Sequence, residues 1–246
     1  MMRLSFDLHL HSCLSPCGGA ENTPADLAAM CALAGLDVVA LTDHNTAGNC
    51  GAFLRAAERH GLLALPGMEL TTREEVHIVC LFPDLPSAVG FDARIKPLLP
   101  PIPNNPGFFG PQLLMDDTDR ILGEESAFLA GAAEIGIYEV AGLTAQYGGT
   151  AFPAHIDRPS FSLLSNLGFW DANMNFPLAE LSPHSPPALL LRPDLSGVTR
   201  ITNSDAHYLD QVMDAHQYMD LPQRSPKAVI HWLKTAKNSD VFFRRT

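Results

Sequence analysis

The sequence predicts an α/β barrel, and three observations predict it. Apolar strand-like runs alternate with helix-like runs along the 246 residues, the pattern of βαβ units with parallel pairing. Seven strands of this kind fit a barrel, and the length is ordinary for one. The strand ends carry an unusual load of histidine and carboxylate, on the side where barrels build their sites.

The strand candidates are 3–9, 37–42, 63–70, 76–82, 150–155, 178–182 and 199–204. The first helix opens at Thr23-Pro24, with Thr23 as N-cap and Pro24 at the first helical position, and Gly35 closes it. Asn45 is expected to cap a second helix reaching about His60 and ended by Gly61. A third helical stretch covers 124–147, interrupted near Gly136 and stopped by Gly148-Gly149. The last helix spans 225–237 and repeats the capped proline start at Ser225-Pro226. From 83 to about 119 the alternation fails. The run Pro100-Pro101-Ile102-Pro103-Asn104-Asn105-Pro106-Gly107 marks a Pro/Gly-rich insertion, and loops that long are usually functional. It is expected over the barrel mouth, with Phe108 and Phe109 anchoring it or touching substrate. No repeat or linker divides the chain, so 1–246 is expected to be one domain.

Composition bounds the partners. The formal charge is −11, from 16 basic and 27 acidic residues, which argues against a long nucleic-acid duplex and leaves a small phosphorylated substrate open. No apolar run is long enough to span a bilayer. The opening Met1-Met2-Arg3-Leu4-Ser5-Phe6-Asp7 lacks a signal-peptide core, so a cytoplasmic location is expected. Cysteines 13, 17, 31, 50 and 80 fit free thiols, with a metal ligand possible among them.

The chemistry gathers in short segments. In Asp7-Leu8-His9-Leu10-His11 the two histidines point to one side of a strand. Thr42-Asp43-His44 follows the second strand, and Gly67-Met68-Glu69 ends the third. His77 lies on the fourth, Pro153-Ala154-His155 ends the fifth and Ser204-Asp205-Ala206-His207 ends the seventh. Imidazoles and carboxylates converging in this way suit two or three divalent ions such as zinc, iron or manganese. Glu69 has two oxygens and can bridge two of them. Asp43 and Asp7 neighbour these histidines and are candidates to orient them. Arg158 is the best candidate for a bidentate phosphate contact. Arg73 is the second, with an ion pair to its neighbours Glu74 or Glu75 as the alternative. His60, His216 and His231 read as surface residues, and so does His184, with a reach from the end of the sixth strand to the mouth and substrate as the alternative.

Those segments, in that order, resemble the polymerase and histidinol phosphatase (PHP) superfamily of metal-dependent phosphoesterases. The resemblance runs over nearly the whole chain. It implies a distorted (β/α)7 barrel with its metal site at the C-terminal ends of the strands. It also implies a ligand set. One metal takes His9, His11, Glu69 and Asp205, a second shares Glu69 and adds His77 and His155, and a third takes His44 and His207. The family often has a His or Asp where this chain has Cys17; that thiolate is either a ligand of the third metal or a free cysteine. Asp205, His207, Glu69 and Arg158 are then the candidate catalytic residues. The implied reaction is hydrolysis of a small phosphate ester by metal-activated water. The substrate leans to a 3′,5′-bisphosphate nucleotide or a short oligoribonucleotide. Alternatives are a histidinol-phosphate-type phosphatase, a polymerase-associated proofreading nuclease and a non-catalytic metal-binding domain.

Overall fold

The computed structural model describes residues 1–243, apart from the Leu190 side chain. The strands are β1 (Met2–Leu10), β2 (Val38–Leu41), β3 (Leu63–Thr71), β4 (His77–Leu81), β5 (Leu113–Met115) and β6 (Ile121–Glu124). They continue as β7 (Thr150–Pro153), β8 (Leu178–Leu181), β9 (Thr199–Thr202), β10 (Gln217–Leu221) and β11 (Phe242–Phe243). The helices are α1 (Pro24–Leu33), α2 (Cys50–Arg59), α3 (Leu85–Ile95), α4 (Pro106–Phe109), α5 (Ile137–Gln146), α6 (Leu163–Asn166) and α7 (Pro226–Thr235).

All seven expected strands form, but the sheet is mixed rather than parallel. The main sheet runs β11-β10-β1-β2-β3-β4-β7 as a curled half-barrel, and β8 pairs with β9 alongside it. Only β1/β2, β2/β3 and β8/β9 are parallel. The chain from β3 to β4 spans only 72–76, too short for a crossover, so the two strands form an antiparallel hairpin. Glu75 takes the left-handed turn there, at φ +57°. β4 then pairs antiparallel with β7, and β10 returns antiparallel along β1. Gly67 lets β3 and β4 close up, because a Cβ there would lie 2.7 Å from the Leu81 side chain.

Two apolar clusters fill the two faces of the sheet. Phe6, Leu8, Val38, Ala40, Leu65, Val79, Leu81 and Phe152 face one side, with Val229, Trp232 and Leu233 of α7 packed on them. Leu10, Val39, Leu41, Met68, Ile78 and Cys80 face the other side, against α1, α2, α3 and α5. A bulge in β1 between Asp7 and Leu10 moves the chain from one alternation to the other. Phe6 and Leu8 lie on the α7 face, whereas Leu10 faces the outer helices. The shift therefore turns His9 and His11 toward the α7 face, where Glu69 and His77 lie by their alternation with Leu65, Val79 and Leu81. Bulges are used near sites to re-aim side chains in this way.

The helices differ from expectation in three places. α2 begins at Cys50, because Asn45 sits in the left-handed region at φ +53° and spends its amide on Thr71, Leu129 and Gly131. α5 begins only at Ile137, and residues 121–124 are a strand. The first part of the expected insertion is a helix, α3, whose Ala88, Phe91 and Ile95 are buried. Asp84 caps it and Pro86 sits in its first turn, the same start that marks α1 and α7. The irregular segment is therefore 96–136. It carries the β5/β6 hairpin, held by buried Asn49 and Gln112 through their amides.

Candidate metal centre

The predicted residues converge at one edge of the sheet. His11, His44, His155 and Asp205 follow β1, β2, β7 and β9, Glu69 lies near the end of β3, and His77 begins β4. Because β4 is antiparallel, its N-terminal end meets this edge, with His77 opposite Thr71. His155 and Asp205 both hold the left-handed conformation, at φ +26° and +52°, strain of the kind that functional sites retain.

Glu69 is the hub. Its carboxylate lies 3.0 Å from His44 Nδ1, 3.0 Å from His77 Nδ1, 3.2 Å from His9 Nε2, 3.2 Å from His155 Nε2 and 3.3 Å from His11 Nε2. Asp205 Oδ1 lies 3.2 Å from His9 Nε2 and 3.1 Å from His11 Nε2. All of these residues are buried. Burial pushes the Glu69 carboxyl up, but His77, His9 and His44 outweigh it and hold the group well below the usual range. Asp205 is lowered in the same way by His9 and His11. Burial brings the His77 imidazole down to about 4.

The surroundings fix which nitrogen faces inward. His9 Nδ1 meets both oxygens of Glu180 at 3.0 and 3.1 Å, so it carries the proton and donates. His11 Nδ1 donates to Ser15 Oγ at 2.9 Å, and that hydroxyl donates to Asp43 at 2.7 Å. The two Nε2 atoms are left facing each other at 3.1 Å. Two lone pairs at that distance repel unless positive charge lies between or beside them. Glu69 Oε2, Asp205 Oδ1 and His44 Nδ1 are also buried and make no well-directed hydrogen bond, their neighbours being one another and the imidazole nitrogens, which is costly unless another partner compensates. Nitrogen and carboxylate donors aimed inward in this way fit divalent cations. Among the described residues, three groups have ligand atoms within 4.8 Å of one another: His9, His11, Glu69 and Asp205; His44, Glu69 and His77; His11, His44 and His207.

Cys17 stands outside those groups, at the cavity wall. The residue is exposed, and although partial desolvation at the wall disfavours its thiolate, the imidazoles of His44 and His207 outweigh that and bring the thiol down to about 5. Above the cluster opens a cavity of about 450 Å³, lined by Cys17, Phe109, Phe128, Arg158 and Phe161 besides the cluster itself. Arg158 Nη1 pairs with Asp205 Oδ2. Arg73 lies elsewhere, paired with Glu134 at 2.9 Å and Glu139 at 3.6 Å, and is no part of the cavity. Phe109 reaches the wall while Phe108 is 78% exposed. His60, His184 and His231 are exposed, and His216 is half-buried against the Asp214 carbonyl.

Two orientation roles differ from expectation. Asp43 holds the loop after β1 through Ser12 and Ser15, rather than its neighbour His44. Asp7 accepts from the backbone N–H groups of His9 and Ser204 rather than from an imidazole. The acid missed in the sequence is Glu180, which also accepts from His155 N at 3.1 Å and Asn203 Nδ2 at 2.7 Å. Its one signal is a carboxylate inside an otherwise apolar strand.

The family model of the PHP domain matches residues 7–137. The chain belongs to the PHP domain family. The error-prone DNA polymerase of Symbiobacterium thermophilum is 39% identical over 74 residues, which are 30% of this chain and 7% of that protein. Endonuclease Q of Pyrococcus furiosus superposes with a TM-score of 0.66 at 16% identity, covering 96% of this chain and 57% of that one. A second endonuclease Q structure, with a 27-mer duplex bearing an abasic lesion at its active site, gives a TM-score of 0.67 at 16% identity, covering 96% and 58%. A Bifidobacterium adolescentis protein assigned as a metal-dependent phosphoesterase gives 0.56 at 19% identity, covering 82% and 87%. At these identities the likeness is one of fold. It nonetheless corrects the exclusion of long duplex nucleic acid, since endonuclease Q, a protein that shares this fold, is seen with a duplex substrate. Net charge is a sum over the whole molecule, whereas binding follows the local field at the site. No helix among the described residues is long and apolar enough to cross a membrane.

Proposed function

We propose that this protein is a metal-dependent phosphoesterase that hydrolyses the phosphate ester of a nucleotide, a 3′,5′-bisphosphate or the end of an oligoribonucleotide, acting as one domain over 1–246. His9, His11, Glu69 and Asp205 would hold one ion, and His77 and His155 a second that shares Glu69. His44, His207 and Cys17 would hold a third. Zinc, iron or manganese suit this donor set, and the thiolate favours the softer ions. Bound there, such ions supply the Lewis acidity that activates water and offsets charge on the phosphoryl oxygens. Glu180, Ser15 and Asp43 keep the imidazoles in the inward-facing tautomer. Arg158, half-exposed and tethered to Asp205, offers a phosphate its planar fork. Asp205, His207 and Glu69 border the reacting phosphate.

One observation carries the nucleotide reading. The cavity has a floor of imidazoles and carboxylates, one arginine, and walls supplied by three phenylalanines. Polar groups at one end and aromatic faces beside them suit a ligand with a phosphate and a flat ring. The test is a turnover panel on protein loaded with each metal: nucleoside 3′,5′-bisphosphates, short RNA, abasic duplex DNA, histidinol phosphate and ring-free glycerol phosphate. Preference for the bisphosphates or short RNA is expected. Equal or faster turnover of the ring-free ester would overturn the reading.

A further inference from the structure

We infer that Phe161 is the base-stacking platform of this site, so that one short loop reads both parts of a nucleotide: Arg158 its phosphate and Phe161 its base. This rests on the nucleotide reading above and goes beyond it by assigning the residue that recognises the ring.

The Phe161 ring lies stacked on His77, with centroids 4.9 Å apart and planes 21° apart. One face is thus covered, while the residue stays 42% exposed and lines the cavity. Phe161 belongs to neither of the large apolar clusters, so the fold does not use the ring as core. Its backbone is in the left-handed region at φ +51°, a conformation that a bulky residue adopts only where its surroundings impose it. Those surroundings are rigid. The Phe161 carbonyl accepts from His77 N at 3.0 Å. Asp157 accepts from Ser182 N at 2.8 Å and Ser182 Oγ at 2.6 Å. The Arg158 carbonyl accepts from Ser162 Oγ at 2.6 Å, and the Pro159 carbonyl from Ser165 Oγ at 2.7 Å. An exposed ring held in a strained, firmly tied conformation beside a reactive floor is preorganised for a flat ligand. Aromatic stacking accepts any base, so the platform selects nucleotides as a class over ring-free phosphates.

The test compares wild type with Phe161→Gly and Phe161→Tyr on metal-loaded protein. Glycine removes the ring and is at ease at positive φ, so the backbone need not move. Tyrosine keeps the platform. Substrates are a nucleoside 3′,5′-bisphosphate and glycerol phosphate, and adenosine 5′-monophosphate binding is followed by calorimetry. Phe161→Gly is expected to raise KM for the nucleotide, and Kd for the monophosphate, by about 5- to 150-fold. The nucleotide KM should rise by a much larger factor than the glycerol phosphate KM, the melt should stay cooperative, and Phe161→Tyr should keep nucleotide affinity. An unchanged nucleotide KM, or an equal loss on both substrates, would overturn the platform. A wild-type enzyme that turns over glycerol phosphate and neither binds nor cleaves nucleotides overturns the nucleotide reading itself, before any variant is made.

Discussion

Glu180 shows how much of the centre depends on a residue that touches no substrate. It accepts from His9 Nδ1, His155 N and Asn203 Nδ2, all buried. Glu180→Ala leaves those donors without a partner. Each such orphan costs about 1–3 kcal/mol, and loss of an imidazole's supporting carboxylate costs about 10- to 100-fold in metal affinity. Denaturant melts and zinc titration check both effects. Undiminished metal affinity would remove Glu180 from the centre. The ligand candidates were legible because histidines and carboxylates recurring at successive strand ends have no ordinary structural use. Glu180 was not, because one acid in Leu178-Ala179-Glu180-Leu181 has no spacing partner. Arg73 takes the ion-pair alternative, but with partners distant in the chain: at the β3/β4 turn its side chain points to Glu134 and Glu139 rather than to Glu74 or Glu75.

At the scale of elements, the β5/β6 hairpin, which lies in the chain between the cavity residues Phe109 and Phe128, is tied to α2 by Asp117, which pairs with Arg55 and Arg59. Those hydrogen bonds hold the Asp117 carboxyl down to about 2. A lowered carboxyl contributes stability above its unfolded value, about 3.9, and loses it as pH falls through the folded one. Hairpin docking should therefore weaken between about pH 4 and pH 2, and more so at low pH in high salt. Amide exchange of residues 113–124 measures it, and Asp117→Asn should show the loosened exchange already at neutral pH. Equal exchange in both proteins would show that Asn49 and Gln112 hold the hairpin alone. Helix α3 escaped the sequence reading although Asp84 and Pro86 form the same capped start as Thr23-Pro24. The prolines farther along drew the whole segment into one loop.

For the whole molecule, the cluster's charge links folding to metal and pH. Burial opposes the charged imidazoles of His9 and His44, but Glu180, Asp205 and Glu69 hold His9 well above its usual range, and Glu69 and Cys17 do the same for His44. Raised groups of this kind stabilise the fold fully below their unfolded value of 6.5. That contribution is lost as pH rises through the raised values. Chelated protein should accordingly lose stability as pH climbs above about 6.5. A divalent cation needs the same nitrogens proton-free, so its binding should strengthen over that range. At about 100 times its Kd the cation adds about 2.7 kcal/mol, a rise of about 5–11 °C in Tm for a chain of this size. Melts with chelator and with zinc or manganese, from pH 5.5 to 8.5, read both slopes. Parallel curves would sever the cluster from metal binding.

The sequence by itself determined the seven strands, the capped helices α1 and α7, and the chemistry at the strand ends. These are local: alternation, caps and side-chain type act within a few residues. Tertiary structure decided what depends on contacts far apart along the chain. The five-residue link 72–76 makes β4 antiparallel, and so brings His77 to the edge where the other strands end. The bulge between Asp7 and Leu10 moves His9 and His11 from the outer-helix alternation to the face that holds Glu69. Without that one-residue shift the same pattern would point both histidines at the helices, since side-chain direction in a strand has a period of two.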